Sequence, residues 1–147
     1  MQVRRRARIV ALQALFEIDC VHHHVGVVLQ RRIDDLDLPA RGQEFARALV
    51  QGVLAHQETL DEMIITCAPE WPIEQVAIID RNILRIAVFE FLIDGETPPK
   101  VAINEAVELA KIFGSDSSQR FVNGVLGTLL SKHAPVSRRK RKGETTG

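Results

Sequence analysis

Nowhere in the 147 residues do apolar side chains run to the 18 or more that a bilayer-crossing helix requires. The arginine-led N-terminus lacks the apolar stretch and small-residue cleavage site of a secretion signal, so the sequence predicts a soluble, cytoplasmic protein. Only two cysteines occur, Cys20 and Cys67, far apart in sequence. That spacing suggests neither a disulfide framework nor a zinc motif, and both thiols are expected to be reduced and structural. The run Cys20-Val21-His22-His23-His24 has metal-ligating types, yet adjacent histidines on a regular helix cannot all face one point. No metal is expected. No glycine-rich cofactor loop follows a strand, and no cysteine nucleophile has a partnered base, so neither a catalytic site nor a cofactor is expected. Strand signals are nearly absent too: no Asn-Gly or Asp-Gly turn lies between alternating apolar and polar residues.

What is present is a chain of 46% hydrophobic and 26% charged residues, enough to bury one core but short for two independent domains. A single unit over 1–136 is expected. The tail at 137–147 has no apolar residues and much charge, and is predicted to be disordered unless a ligand orders it. A formal net charge of zero conceals an asymmetry. Arg4, Arg5, Arg6 and Arg8 stand at one end and Arg138, Arg139, Lys140, Arg141 and Lys142 at the other, nine of the nineteen basic residues. Residues 9–137 hold ten Lys/Arg against eighteen Asp/Glu, a net charge of −8. A negative body with basic arms attracts polyanions, most strongly at low salt, where counterion release is favourable. The C-terminal run fits a solubilising tail equally well.

The longer apolar patterns repeat at three and four, so the chain reads as all-α. A first helix is predicted from Arg4 to about His22, with Ala11, Leu12, Leu15, Phe16 and Ile18 on a wide apolar face, and a second over Val25–Leu36. Pro39 suits the first turn of a third helix carrying Phe45, Leu49, Val50, Val53 and Leu54 towards Ile65, with a break possible at the capping pair Thr59 and Glu62. Ala68-Pro69-Glu70-Trp71-Pro72 cannot continue a helix comfortably and is the best subdomain boundary. After a short turn at 73–76, Asp80 to Ile93 is apolar around most of its circumference and should be central. Gly95 ends it, Thr97 can cap the next helix with Pro98 in its first turn, and that helix stops at Gly114. Ser115 or Asp116, with Gln119, can cap a last helix whose buried stripe is Phe121, Val122, Val125, Leu126, Leu129 and Leu130.

Two features point beyond packing. Arginines at a helix start meet the positive end of its dipole, so Arg4, Arg5, Arg6 and Arg8 imply a compensating anion, with phosphate the candidate; an unstructured charged leader is the alternative. The second is the stretch from Lys100 to Leu126, where two helices meet at a polar turn. Its hydroxyls, free amides and Arg120 suit a phosphate, and Phe121 offers an aromatic face to a base, although its place in an apolar stripe favours core packing. Gly124 and Gly127 inside a helix suggest close approach of a neighbouring helix.

Arg-Arg-Arg-Ala-Arg followed by Ala-Leu-Gln-Ala-Leu-Phe, the word Ile-Leu-Arg-Ile-Ala-Val-Phe-Glu at 83–90, and the blocks at 100–114 and 120–126 together resemble the NusB family of transcription antitermination factors. The ordering matches across residues 4–135. The resemblance implies a NusB-like fold of about seven helices in two packed bundles, about 4–67 and 73–134. It also implies an adaptor that with NusE, a ribosomal small-subunit protein, binds boxA RNA in ribosomal RNA leader transcripts and joins other Nus factors on RNA polymerase. Carried over by position, Arg4, Arg5, Arg6, Arg8, Lys100, Lys111, Ser115, Ser117, Arg120, Phe121 and Asn123 would contact RNA. Phe16, an exposed Asp80 and Arg81 would meet NusE, although Asp80 also fits a helix cap. The chain departs from the family pattern in having Ser117 and Ser118 after Asp116, and Phe16 where an aromatic hydroxyl is frequent. A NusB-like domain also precedes the catalytic domain of some RNA cytosine methyltransferases, so a stand-alone RNA-binding or oligomerisation module is the alternative. The wide apolar faces would allow a homodimer.

Overall fold

The structure is a computed structural model that describes residues 2–21, 24–68 and 72–146, with side chains described as far as His133. Among the described residues there are seven α-helices and no strand: α1 (Val3–Val21), α2 (Val25–Leu36), α3 (Ala40–Ala55), α4 (Gln57–Cys67), α5 (Ile78–Val88), α6 (Pro99–Phe113) and α7 (Ser118–Thr146). A 3-10 turn at Ile73–Gln75 precedes α5, and a π-helical turn at Phe89–Ile93 extends it. The all-α expectation holds.

Burial explains the arrangement. In α1 every residue from Ala7 to Leu12 is buried, so this helix is enclosed nearly all round, by α2, α3 and α5. In α5 the same is true from Asn82 to Val88, with α4, α6 and α7 also packed on it. Two central helices therefore meet, and one apolar core runs without interruption from Ala7 to Leu129. Fully enclosed side chains such as Leu12, Ile83, Leu84 and Leu126 each contribute about 1.5–3 kcal/mol by leaving water.

The third predicted helix is two helices, broken at His56 (φ −116°, ψ 19°) and not at Thr59. The cause is tertiary. Gly52 lies against the Phe89 ring so closely that a Cβ there would fall 2.1 Å from Cζ, and His56 turns over the same ring, 6.0 Å away, with Nδ1 2.9 Å from the Gly52 carbonyl oxygen. Beyond the break α4 leans more on α5 and α7 than on α3. Residues 69–71 of the expected boundary lie outside the described residues, as do His22 and His23.

Several predicted caps are replaced. Pro39 stands before α3 in extended conformation (φ −65°, ψ 161°), outside the first turn. Thr97 does not cap α6, because its buried hydroxyl donates to the Glu90 carboxylate at 2.8 Å; Pro98 takes the cap position and Pro99 the first turn. Gly95 ends the π turn at φ 73°, a left-handed conformation that glycine adopts at no steric cost. The backbone of α7 stays helical past Pro135, where a stop was expected, to Thr146. Gly124 and Gly127 have open space where a Cβ would stand, so no neighbouring helix accounts for them.

Candidate nucleic-acid interface

The N-terminal arginines divide once their partners are known. Arg8 is 4% exposed and forks onto Glu90, which the π turn directs inward: Nε donates to Oε2 at 2.9 Å and Nη2 to Oε1 at 2.7 Å. Thr97 completes the carboxylate's shell. Arg5 forks onto Glu105 of α6 at 3.1 and 2.6 Å, and Arg8 also reaches Glu105 at 3.4 Å. Hydrogen bonding and the charge of Glu105 raise the Arg5 pKa against its desolvation. The Arg5 hydrogen bond likewise leads in holding the Glu105 carboxyl below its ordinary value, against the opposing effect of burial. Arg6 donates to the carbonyls of Leu36 and Asp37 at 2.8 and 3.2 Å, neutralising the carbonyl end of α2. Arg4 alone of the four is exposed, with its guanidinium 4.7 Å from the centre of the Phe45 ring. Three of the four expected phosphate ligands are thus engaged internally, and Arg8 is enclosed. For Arg5 and Arg8 the anions beside the helix start are carboxylates of the chain itself.

The α6–α7 turn is built by glycine and serine. A Cβ on Gly114 would fall 2.4 Å from the Ser118 side chain and 2.7 Å from the Ala110 carbonyl oxygen, so only glycine lets the turn close this tightly. Buried Ser118 accepts the Ser115 N–H at 2.9 Å, and α7 starts there, not under a cap from Ser115 or Asp116. This geometry leaves Lys111, Ser115, Ser117, Arg120 and Asn123 exposed along one edge, with Phe121 half-buried against the core. Lys100 is exposed at the far end of α6, about 16 Å from Lys111 at 1.5 Å per residue, on the same helix face.

The third group differs most from expectation. Asp80 is 7% exposed, not an exposed acid, because the turn at 73–76 and the start of α7 close over the first turn of α5. It makes no capping hydrogen bond, and its Oδ1 is buried without a hydrogen-bond partner among the described residues. Asp80 lines a groove of about 380 Å3 with Gln75, Val76, Ala77, Ser117, Arg120 and Phe121. Residues expected to meet RNA and one expected to meet a protein partner therefore share one depression. Arg81 forks onto Asp19 at 2.8 and 2.7 Å, and Arg85 links Asp19 at 3.1 Å to Asp61 at 2.7 and 2.9 Å. Burial acts to raise the Asp19 pKa, but hydrogen bonds from Arg81 and Asn82 and the charges of Arg81 and Arg85 outweigh it and hold it at about 2. Phe16 is half-buried and does not join the apolar residues packed on the core.

Cys20 is exposed and Cys67 half-buried, both as free thiols. Among the described residues no three His, Cys, Asp or Glu side chains converge as metal ligands, and no helix is long and apolar enough to cross a membrane.

Residues 5–131 match the sequence model of the NusB family. The chain is 52% identical over 143 residues to the transcription antitermination protein NusB of Roseiflexus sp. (strain RS-1), covering 96% of this chain and 98% of that protein. Among solved structures, NusB of T. maritima superposes with a TM-score of 0.84 at 30% identity, over 93% of this chain and 96% of that one. A chain from a crystal structure of the antitermination factors NusB and NusE in complex with dsRNA superposes with a TM-score of 0.82 at 25% identity, over 90% and 99%.

Proposed function

The chain belongs to the NusB family, and from that premise we propose how its surface performs antitermination. It is a transcription antitermination factor, an RNA-binding adaptor that acts with NusE on boxA RNA and catalyses no reaction. The observation that carries this is the family match over nearly the whole chain, joined to a structural neighbour that holds both NusE and RNA.

The RNA is proposed to follow the exposed edge of the α6–α7 turn. Lys111 and Arg120 supply charge, Ser115, Ser117 and Asn123 supply hydrogen bonds, and the open side of Phe121 supplies a stacking surface, with Lys100 farther along α6. At the other end Arg4 is available. Arg5 and Arg6 would exchange an internal acceptor for phosphate, whereas Arg8 acts through the position it gives α1. Phe16 would anchor NusE, and the unpaired acceptor of Asp80 suits a donor from that partner, beside Arg81 held in place by Asp19. Joining other Nus factors on RNA polymerase, forming a homodimer and residing in the cytoplasm are part of the same proposal.

The test is anisotropy of labelled boxA RNA against a scrambled RNA, with the protein alone and with NusE, across a salt series. Selective binding strengthened by NusE, and weakened by Lys111→Ala with Arg120→Ala, is expected. Equal weak binding to both RNAs, unchanged by NusE, would overturn the reading.

A further inference from the structure

Three of the four arginines of α1 spend their donors within the chain, which leaves the direction of Arg4 to be explained. Its guanidinium lies over Phe45 of α3, at 4.7 Å, where the ring quadrupole attracts it. A guanidinium held over a ring is partly pre-positioned, so less conformational freedom is lost when an anion binds it. Arg4 and Phe45 line an open cleft of about 630 Å3 with Gln2, Val3, Glu44 and Arg41. Arg41 stands in the first turn of α3, exposed, and neither it nor Arg4 has an ion-pair partner among the described residues. The two helices approach this closely because position 42 is glycine: a Cβ there would fall 2.8 Å from Val3 Cγ1.

We propose that this cleft between the starts of α1 and α3 is a backbone-phosphate subsite for single-stranded RNA, with Arg4 and Arg41 as the two guanidinium donors and Phe45 as the residue that positions Arg4. The inference rests on the RNA-binding reading above and adds α3 to the RNA surface. Two guanidiniums against one carboxylate, Glu44, make the cleft net positive on a body that is otherwise acidic. Planar forks beside an aromatic ring suit a phosphate with its flanking nucleotide. Arg5 and Arg8 cannot serve here without giving up Glu105 and Glu90.

The experiment uses the full chain with NusE, boxA RNA extended by several nucleotides on each side, and an unrelated single strand of equal length. Arg41→Gln is compared with Arg47→Gln, which removes the same charge from α3 outside the cleft. Because Arg41 is exposed, its variant should melt as the wild type does. Arg41→Gln is expected to lower affinity by about three- to ten-fold and to reduce the salt slope by about 0.7, the loss of one phosphate contact on a single strand. Arg47→Gln should stay within about two-fold by the same reasoning. RNA carrying 4-thiouridine should cross-link to the peptide containing residues 41–45.

If boxA is preferred but Arg41→Gln binds as the wild type does, the subsite is overturned and the antitermination reading stands. If neither RNA is preferred yet Arg41→Gln weakens both, the subsite stands and that reading falls. If RNA binding is unchanged but NusE binds more weakly to Arg41→Gln, the cleft takes an acidic protein segment and the proposal is wrong.

Discussion

At the scale of single residues, the charges inside the fold separate effects on folding from effects on RNA. The Arg8 and Glu90 side chains are 4% and 3% exposed, and removing either strands the other in the core. Arg8→Ala is therefore expected to cost about 3–5 kcal/mol, read as a lower denaturant midpoint at unchanged slope, while Arg8→Met with Glu90→Leu recovers most of it. A variant within 1 kcal/mol of wild type would show the pair to be dispensable. Glu105→Gln has the opposite sense: it releases Arg5, which is 37% exposed, so RNA affinity should rise and the salt slope steepen by about 0.7. An unchanged slope would show that Arg5 stays bound to the amide or points away from RNA. Asp19, held at about 2, stabilises the fold above the unfolded carboxyl value of about 4, and that contribution is lost as pH falls from about 4 through 2. Asp19→Asn should flatten the stability profile across that window and lower stability at neutral pH. These pairs left a trace in the sequence. Arg8 interrupts the apolar run Ala7–Leu12, Glu90 stands between two phenylalanines and Arg85 between Leu84 and Ile86, each a charge where only a buried partner could keep it. What the sequence could not supply was the partner, since Arg8 and Glu90 are 82 residues apart and no periodicity links them.

Elements were legible where local chemistry decides them. Val25–Leu36 was readable from its flanks, and α6 from the prolines at its start and Gly114 after it. Errors fall where a distant side chain overrides local preference: Thr97 has the chemistry of a cap but serves Glu90, and the α3–α4 break is set by Phe89 and not by the Thr59–Glu62 pair. The glycines make the same division testable. Gly52→Ala drives a methyl into the Phe89 ring and is expected to destabilise by about 1–3 kcal/mol, with the α3–α4 angle disturbed. Gly127→Ala meets nothing within 4 Å inside a helix and should stabilise by about 0.5–1 kcal/mol. Thermal unfolding of the two variants reads both signs. Equal effects would mean that the contact between Gly52 and Phe89 has no bearing on the break. Of the candidate site, exposure on the α6–α7 edge was legible because turn residues and a helix start leave few ways to bury Ser115, Ser117 and Arg120. The burial of Asp80 was not, because its cover comes from two other segments of chain.

For the whole molecule, the question is whether two halves fold separately or as one. Proline at the expected boundary argues for separation, but the packing argues against it. α1 presents Ala7, Arg8, Ala11 and Leu12 within a core that α5 completes, and the Arg8–Glu90, Arg5–Glu105 and Arg81–Asp19 pairs all join an early helix to a later segment. α4 buries Leu60 and Ile64 while resting on α5 and α7, so a cut after Cys67 would expose that face. Unfolding should accordingly be one cooperative transition, with calorimetric and van't Hoff enthalpies equal, and a fragment ending at Cys67 should lack a cooperative melt. Two resolved transitions, or a fragment that melts cooperatively alone, would mean that the ion pairs across the halves are surface couplings between independent bundles. The distinction bears on the proposed function, because an adaptor must hold RNA and a protein partner in fixed relation. A single cooperative core fixes the α6–α7 edge relative to Phe16 and Arg4 without help from either partner, so the surfaces should be ready before binding and association should not require folding.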